Sequence, residues 1–366
     1  MSLHKFILSS LETHFTRDLV ADLSLHLDFG DCTVEVRSNS APLVELLQAY
    51  FGIFVVAKRS VDILVTAMET AEREVPYQLV TKEPDPGKTK IKEEYADVPG
   101  GRIVRKRLTG MVFLFGQGRN LAVGPCVANA NQIVNFINNR YIEYKINRGC
   151  MLGHSAAVAS SSGQTLRGLA LAGFSGAGKS TLALHLLSRG ALFVSNDRLL
   201  VQGGYYGLVM SGVAKLPRIN PGTALNNPDL SGVIPDEERK ELEEMPLDAL
   251  WDLEQKYDVY LDQCFGEGRF ILSAPMNGLV ILNWRREPIP TLIEKVDPWK
   301  RPDLLPAFMK STGLFYVPEN GRPHAEPFLE QYQKLLSGCG LYEITGGVDF
   351  DVAADFCLTL LQGRRQ

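Results

Sequence analysis

Little in this chain of 366 residues points to chemistry built on cysteine. Cys32, Cys126, Cys150, Cys264, Cys339 and Cys357 are scattered, and no two form a C-x-x-C pair, so zinc-site spacing is absent. A disulfide framework is not expected in a chain long enough to bury a large core; the thiols read as reduced and the setting as cytoplasmic. No run approaches the ~18 apolar residues of a membrane helix. The start, "MSLHKFILSSLETHF", lacks a basic segment, a long apolar run and a small-residue cleavage site, so it does not read as a signal peptide. A formal charge of −4 gives no general reason to expect nucleic acid or an anionic membrane as partner. There is no visible repeat at a period of about 20 to 50 residues, and no N/T-K-x-D motif of the kind that reads guanine. What remains is an ordinary globular composition, 45% hydrophobic and 22% charged, with length enough for two domains.

The first 148 residues mix two periods. "LSLHLDFG" and "CTVEVRS" predict a hairpin turning at Gly30-Asp31, and "SNSAPLVELLQAYFG" predicts a capped helix ending at Gly52. "VDILVTAM" reads as a strand. Residues 81–100, charged and proline-bearing, read as a surface loop, and "RIVRKRLTG" as the charged rungs of a strand. "MVFLFGQGRNLAVG" predicts two strands about a glycine turn. "NANQIVNFINNRYIEYKINRG" predicts a long helix burying Ile133, Phe136, Ile137, Tyr141 and Tyr144, stopped by Gly149. A domain boundary is expected there: an α+β domain over 1–148, able to recruit a partner or substrate, and a second domain over 149–366.

The second part carries the chemistry. "MLGHSAAVAS", a polar turn "SSGQT" and "LRGLALAG" form a predicted hairpin running into "GFSGAGKS". That segment matches G-x-x-x-x-G-K-[ST] from Gly173 to Ser180, with an apolar strand before it and the helix "STLALHLLSR" after it. Glycines let backbone amides converge on phosphate oxygens, and a helix N-terminus adds partial positive charge. Gly173, Phe174, Ser175, Gly176, Ala177, Gly178, Lys179, Ser180 and Thr181 are therefore the expected nucleotide-binding residues, with Lys179 at the outer phosphates and the Ser180 hydroxyl on magnesium. The next strand, "ALFVSND", is predicted to end at Asp197, and a crossover would bring that carboxylate beside the loop as the second magnesium ligand. ATP and Mg2+ are the implied cofactors. Arg218 in "KLPRINPG" is a candidate clamp for the transferred group, since a guanidinium presents a two-pronged donor set to phosphate. Lys215, Arg285 and Arg286 are weaker candidates, and His185 reads as structural. Further on, 217–235 reads as a proline-rich loop, "PDEERKELEEM" as an acidic helix and "MNGLVILNW" as a strand. "RPDLLPAFMKS", "PFLEQYQKLLS" and "DFDVAADFCLTLL" read as helices around the strand "LYEIT".

Together, "GHSAAVA…LALAGFSGAGKSTLALHLLSRGALFVSND" resembles the HPr kinase/phosphorylase family, in particular its HPr-kinase-related kinases. The resemblance covers roughly residues 151–201; "AKLPRINPGT", "GLVILNWRREP" and the N-terminal "HLDFGDCTVEVRSNS…LLQAYF" are similar to further landmarks of the relatives. It implies an α/β fold: an α+β N-terminal domain followed by a PEP carboxykinase-like P-loop domain with a mixed β-sheet. It also implies Mg-dependent transfer of the γ-phosphoryl group of ATP to a hydroxyl of a protein serine or a small molecule, and assembly into a homo-oligomer. By the same resemblance His154 lies near the reacting groups, so His154, Lys179, Asp197 and Arg218 form the expected catalytic set. The sequence departs from the family at Asn196, which stands where the first of two adjacent acids is expected, the presumed general base. Either His154 or Asp197 takes over that work, or transfer relies on positioning and charge neutralisation. The alternative is a nucleotide-dependent binding or scaffold module with little transfer activity. A carboxykinase-like metabolic enzyme would need a His/Lys/Asp set for manganese that the sequence does not display.

Overall fold

The computed structural model describes residues 7–84, 90–162, 165–246, 249–250, 253, 255–319 and 328–363. The fold is mixed α/β, with large mixed sheets and helices packed on them. The chain separates into two compact units: Met1–Asn147 with Thr312–Ala325, and Arg148–Ser311 with Glu326–Gln366.

In the first unit the strands Leu23–Asp28 and Thr33–Ser38 pair antiparallel around Gly30, whose φ of 88° is the left-handed turn conformation that glycine tolerates without strain. Ser40 caps the helix Ala41–Phe51 by accepting from the Leu43 amide. Strand Ile63–Glu69 lies parallel to both Thr33–Ser38 and Arg119–Gly124, so the nine-stranded sheet is mixed. Helix Ala130–Asn147 buries Ile133, Phe136, Ile137 and Tyr141, while Tyr144 is half-buried.

The loop expected over 81–100 is corrected over part of its length. Glu93–Val98 is a strand, paired antiparallel with Gly101–Lys106. Its alternation is masked in the sequence because the exposed rungs are charged. Glu94 takes Arg105 at 2.6 Å and Arg107 at 3.4 Å, Glu93 pairs with Lys106, and Asp97 takes Arg102 at 2.7 Å. The basic run is thereby matched within its own sheet, as charged strand rungs.

Residues 312–319 pack with this first unit rather than with their sequence neighbours. Phe315 sits among Phe113, Phe115 and Phe136. The buried Arg140 guanidinium lies 4.2 Å from the Phe115 ring centre, donates to the Phe315 carbonyl and reaches Glu143 at 3.1 Å.

In the second unit, strands Ser155–Ser162 and Thr165–Gly173 form the predicted hairpin; the tip of the expected turn, 163–164, lies outside the described residues. Thr165–Gly173 runs parallel to Ser273–Leu282, which runs parallel to Gly340–Thr345. Ser155–Ser162 also pairs antiparallel with Leu192–Ser195, so that strand too is parallel to Thr165–Gly173. Helix Lys179–Ser188 makes the crossover between them, burying Leu182, Leu184, Leu186 and Leu187. Four parallel strands thus end on one edge, where ligands of open α/β sheets gather.

Three further expectations change. Residues 302–307 form a 3-10 helix rather than an α-helix, because Pro306 inside it has no amide to donate. The loop expected at 217–235 holds the short helices Pro221–Leu225 and Pro228–Leu230, each with proline in its first turn. Finally, the strand expected to end at Asp197 stops at Ser195, and His154 lies in the break between Met151–Gly153 and Ser155–Ser162 rather than on a strand. Both departures put polar side chains where the ladder has released the chain.

Candidate active site

The glycine-rich segment leaves the edge of the sheet at Gly173 and enters its helix at Lys179. A Cβ on Gly173 would meet the Leu282 carbonyl oxygen at 2.9 Å, so the loop can lie against the neighbouring strand only because that residue has none. Gly178 combines a φ of 88° with a Cβ position only 2.7 Å from the Phe350 ring, and there any side chain would be both strained and blocked. The back of the loop is clamped: Trp284 donates from Nε1 to the Ala177 carbonyl at 2.9 Å and stacks edge-on against Phe350, 5.0 Å between ring centres. Phe350 opens the helix Phe350–Leu361, whose first turn is capped by Asp349.

In front of the loop is a cavity of about 610 Å3. Ser175, Gly176, Gly178, Lys179, Ser180 and Thr181 line it, and so do His154, Asn196, Asp197 and Arg218. The sequence-predicted residues therefore converge on one space. Gly173, Phe174 and Ala177 frame the loop without lining the cavity: Gly173 is buried, Ala177 receives Trp284 and the Phe174 ring is exposed. The Thr181 hydroxyl is engaged with that of Thr223 at 2.9 Å.

Lys179 is folded back over its own loop, with Nζ donating to the carbonyls of Gly173 at 2.7 Å and Phe174 at 3.3 Å. Burial, and then the nearby Lys310 and Lys256, lower its pKa against the opposing pull of Asp197. A cation held this way gains from any anion that enters the loop.

His154 and Asp197 form a small network with a residue that the sequence did not single out. Lys310 Nζ lies 3.3 Å from His154 Nδ1 and 3.7 Å from Asp197 Oδ2, while His154 Nε2 is 3.5 Å from Asp197 Oδ1. An ammonium has only donors, so His154 Nδ1 must accept, which leaves the ring proton on Nε2, facing the carboxylate. Burial pushes the His154 pKa down to about 4, helped by Lys310 and Lys179, so the ring is neutral near pH 7. Its lone pair is occupied by Lys310 and its proton is directed at Asp197, so it orients that carboxylate instead of serving as a base. For Asp197 burial works upward, yet Lys310, His154, Arg198 and Lys215 together outweigh it and its pKa is lowered. The carboxylate is charged at neutral pH.

Asn196 lines the same cavity, and its Oδ1 is buried without a hydrogen-bond partner, as is Oδ1 of Asn220 on the opposite strand-to-helix turn. Buried amide oxygens in this condition are rare and mark where a donor is missing. Arg218 stands on the short strand Arg218–Ile219, paired with Tyr257–Asp258; its Nε is 3.1 Å from Asp258 and a terminal nitrogen donates to the Lys256 carbonyl at 3.3 Å. Arg286 lines the cavity, whereas Arg285 is bound into the backbone pairing beside Gly346 and Gly347. His185 sits outside it, bonded to Asp351 at 3.0 Å and to Arg189, and ties two helices together.

Sequence reasoning missed Lys310, Lys256, Arg198 and the clamp made by Trp284 and Phe350. Lys310 is a lone lysine after a 3-10 helix, far along the chain from the loop, with no local pattern around it. Arg198, directly after the predicted carboxylate, could have been found by asking what neutralises Asp197.

The donor set fits a hard cation. The Ser180 hydroxyl and the Asp197 carboxylate are oxygen donors on one cavity, and among the described residues no cluster of three or more His, Cys, Asp or Glu has metal-holding geometry. That is the pattern for magnesium, which takes one or two protein oxygens and completes its shell with phosphates and water, and not for zinc. Among the described residues no helix is long and apolar enough to cross a membrane.

No protein-family model matches the chain, and neither does any curated protein. Among solved structures it is similar to the HPr(Ser) kinase/phosphatase from Coxiella burnetii, at 11% identity and a TM-score of 0.29, over 57% of this chain and 92% of that one. So loose a superposition carries no argument about activity, which has to be read from the site itself.

Proposed function

We propose that this protein is a magnesium-dependent kinase that moves the γ-phosphoryl group of ATP to a hydroxyl, with the second unit as an HPr kinase-like, PEP carboxykinase-like catalytic domain. One observation carries the reading: Lys179, Ser180 and Asp197, predicted from the sequence to share a triphosphate and its ion, line a single cavity at the carboxyl ends of parallel strands. Loop amides and Lys179 would hold the β- and γ-phosphates, and Ser180 and Asp197 would hold magnesium, which supplies neutralisation of their charge. The acceptor oxygen bonds to the γ-phosphorus as the bond to the bridging oxygen breaks, and that electron pair leaves with ADP. The acceptor hydroxyl donates to Asp197, held in place by His154 and Lys310, and its proton passes late to that carboxylate. A weakly basic carboxylate suffices, because phosphoryl transfer rests mainly on positioning and charge. The first unit is proposed to recruit the acceptor or a partner, and a homo-oligomer is the expected assembly.

The test is transfer from labelled ATP, with magnesium, to a fractionated metabolite and protein pool, followed by phosphorus NMR of the product. A phosphorylated acceptor supports the kinase. Mg-dependent ATP binding with no product from any fraction supports instead a nucleotide-dependent scaffold, the reading that Asn196 favours.

A further inference from the structure

One of the amides that a phosphate would meet is aimed by a residue outside the loop. In a trans peptide the carbonyl and the N–H point in opposite directions, and among the described residues no peptide bond is cis. The Ala177 carbonyl accepts from Trp284 Nε1 at 2.9 Å, behind the loop. The N–H of the same peptide belongs to Gly178 and therefore points away from the indole. Gly178 lines the cavity, whereas Trp284 does not. Among the described residues no group accepts from the Gly178 amide.

The indole is itself held from several sides. The Asn283 amide donates to the Ile344 carbonyl and the Arg285 amide to the Gly346 carbonyl, each at 2.8 Å, so the backbone before and after Trp284 is fixed to the neighbouring strand end. The Asn283 side chain donates to Glu343 at 2.7 Å, and the buried Glu343 is held in turn by Arg301. Phe350 meets the indole edge-on and stands where a Cβ on Gly178 would fall. The helix that Phe350 opens is fastened to the helix after the loop, with Asp351 3.0 Å from His185 and Asp355 2.6 Å from Arg189. A peptide next to glycine turns over more easily than any other, and this brace removes that freedom before a ligand arrives.

Resting on the nucleotide site of the kinase reading above, we propose that Trp284 is a positioning residue for phosphate. It fixes the Ala177–Gly178 peptide so that the Gly178 amide donates to a phosphate oxygen in the cavity, and Phe350 braces the indole. An anion that accepts from the N–H makes the carbonyl oxygen of the same peptide more negative. The bond from Trp284 therefore tightens when phosphate binds.

The experiment uses the full chain with its indole nitrogens isotope-labelled for NMR. It is titrated with magnesium and a non-hydrolysable ATP analogue, and separately with magnesium and inorganic tripolyphosphate, a probe without base or ribose. The three tryptophans give three indole signals, and that of Trp284 is the one missing from Trp284→Phe. It should move downfield with either probe, while the signal of Trp299, which donates to Ser337, stays in place. Trp284→Phe keeps an aromatic ring against Phe350 and loses the donor. It should bind both probes about tenfold more weakly, the worth of one misdirected charge-assisted bond. Its melting without a probe should stay within about 4 °C of wild type. Should that variant fail to fold, Trp299→Phe and Trp251→Phe assign the signals by elimination, and the wild-type shift decides. A Trp284 signal that stays put while the analogue binds, equal affinities in wild type and variant, or a loss confined to the ATP analogue overturns the proposal and leaves the kinase reading standing. Failure of the analogue to bind wild type at all overturns the kinase reading, and the proposal with it.

Discussion

The two units surround their buried positive charge with different groups, aromatic rings in the first and an open cleft in the second. In the first, Arg140 is enclosed by Phe115 and Phe136; its terminal nitrogens reach the Phe315 carbonyl and Glu143, while its Nε is buried without a partner and burial lowers its pKa. Lys145 is likewise matched by Asp31, and the basic rungs of Gly101–Lys106 by glutamates on the adjacent strand. In the second, Lys179, Lys215 and Lys310 lie about Asp197, with Asp258 also acting on Lys215, and burial lowers the pKa of both Lys179 and Lys215. Charges that are locally satisfied stabilise a fold and specify its packing. Charges crowded into an open cleft are tolerated where a ligand can add to them.

The sharpest way to break this contrast is to remove the cation whose value lies in a ligand. Lys179→Met should lower phosphoryl transfer by at least about a thousandfold, equivalent to roughly 4 kcal/mol, as read by ADP release. The unfolding midpoint without nucleotide should not fall. A large loss of stability in that variant would mean that Lys179 is structural.

Arg140→Ala is the mirror experiment. Deleting a buried guanidinium that holds two acceptors and fills an aromatic cage should cost about 3 kcal/mol or more in urea unfolding. A change under about 0.5 kcal/mol would show that the cage does not hold residues 312–319 against the first unit.

Lys215→Met sharpens the contrast, because stability and function should move apart. Its ammonium titrates near 8 in the fold against an ordinary 10.5, so below pH 8 the folded protein carries a charge it disfavours. Between about 8 and 10.5 the unfolded chain binds a proton that the native state has lost, and stability therefore rises with pH through that window. The variant should be more stable at pH 7 by about 1–2 kcal/mol and lose the rise above pH 8. Equal melting of both proteins at pH 7 would count against charge crowding.

The smallest effect is expected from His154→Gln. The histidine titrates near 4 against an ordinary 6.5, so between those values the unfolded chain takes up a proton that the native state refuses. Stability should fall as pH drops through that window, and the variant should lose part of the slope. Unfolding curves collected from pH 7 to pH 4 decide it.

The sequence revealed the centre of the site better than its rim. Glycine spacing, the following lysine and serine, and the crossover to Asp197 are local patterns with a fixed geometric meaning, so their convergence could be anticipated. Lys310, Trp284 and Phe350 come from distant segments, and only tertiary packing gives a lone lysine or tryptophan its role. The hairpins and the long helix were visible in their periodicity. Glu93–Val98 was not, because its outward rungs are charged, and neither was the membership of 312–319 in the first unit, which depends on one phenylalanine finding three others.

The most direct test of the central claim is calorimetric titration of ATP into wild type and Asp197→Asn, each with magnesium and with EDTA. Wild type should bind ATP more tightly with magnesium than without, and the variant should lose most of that difference while remaining folded. ATP binding that is absent in wild type, or indifferent to both magnesium and the substitution, would contradict the assignment of Lys179, Ser180 and Asp197 to a shared nucleotide–metal site.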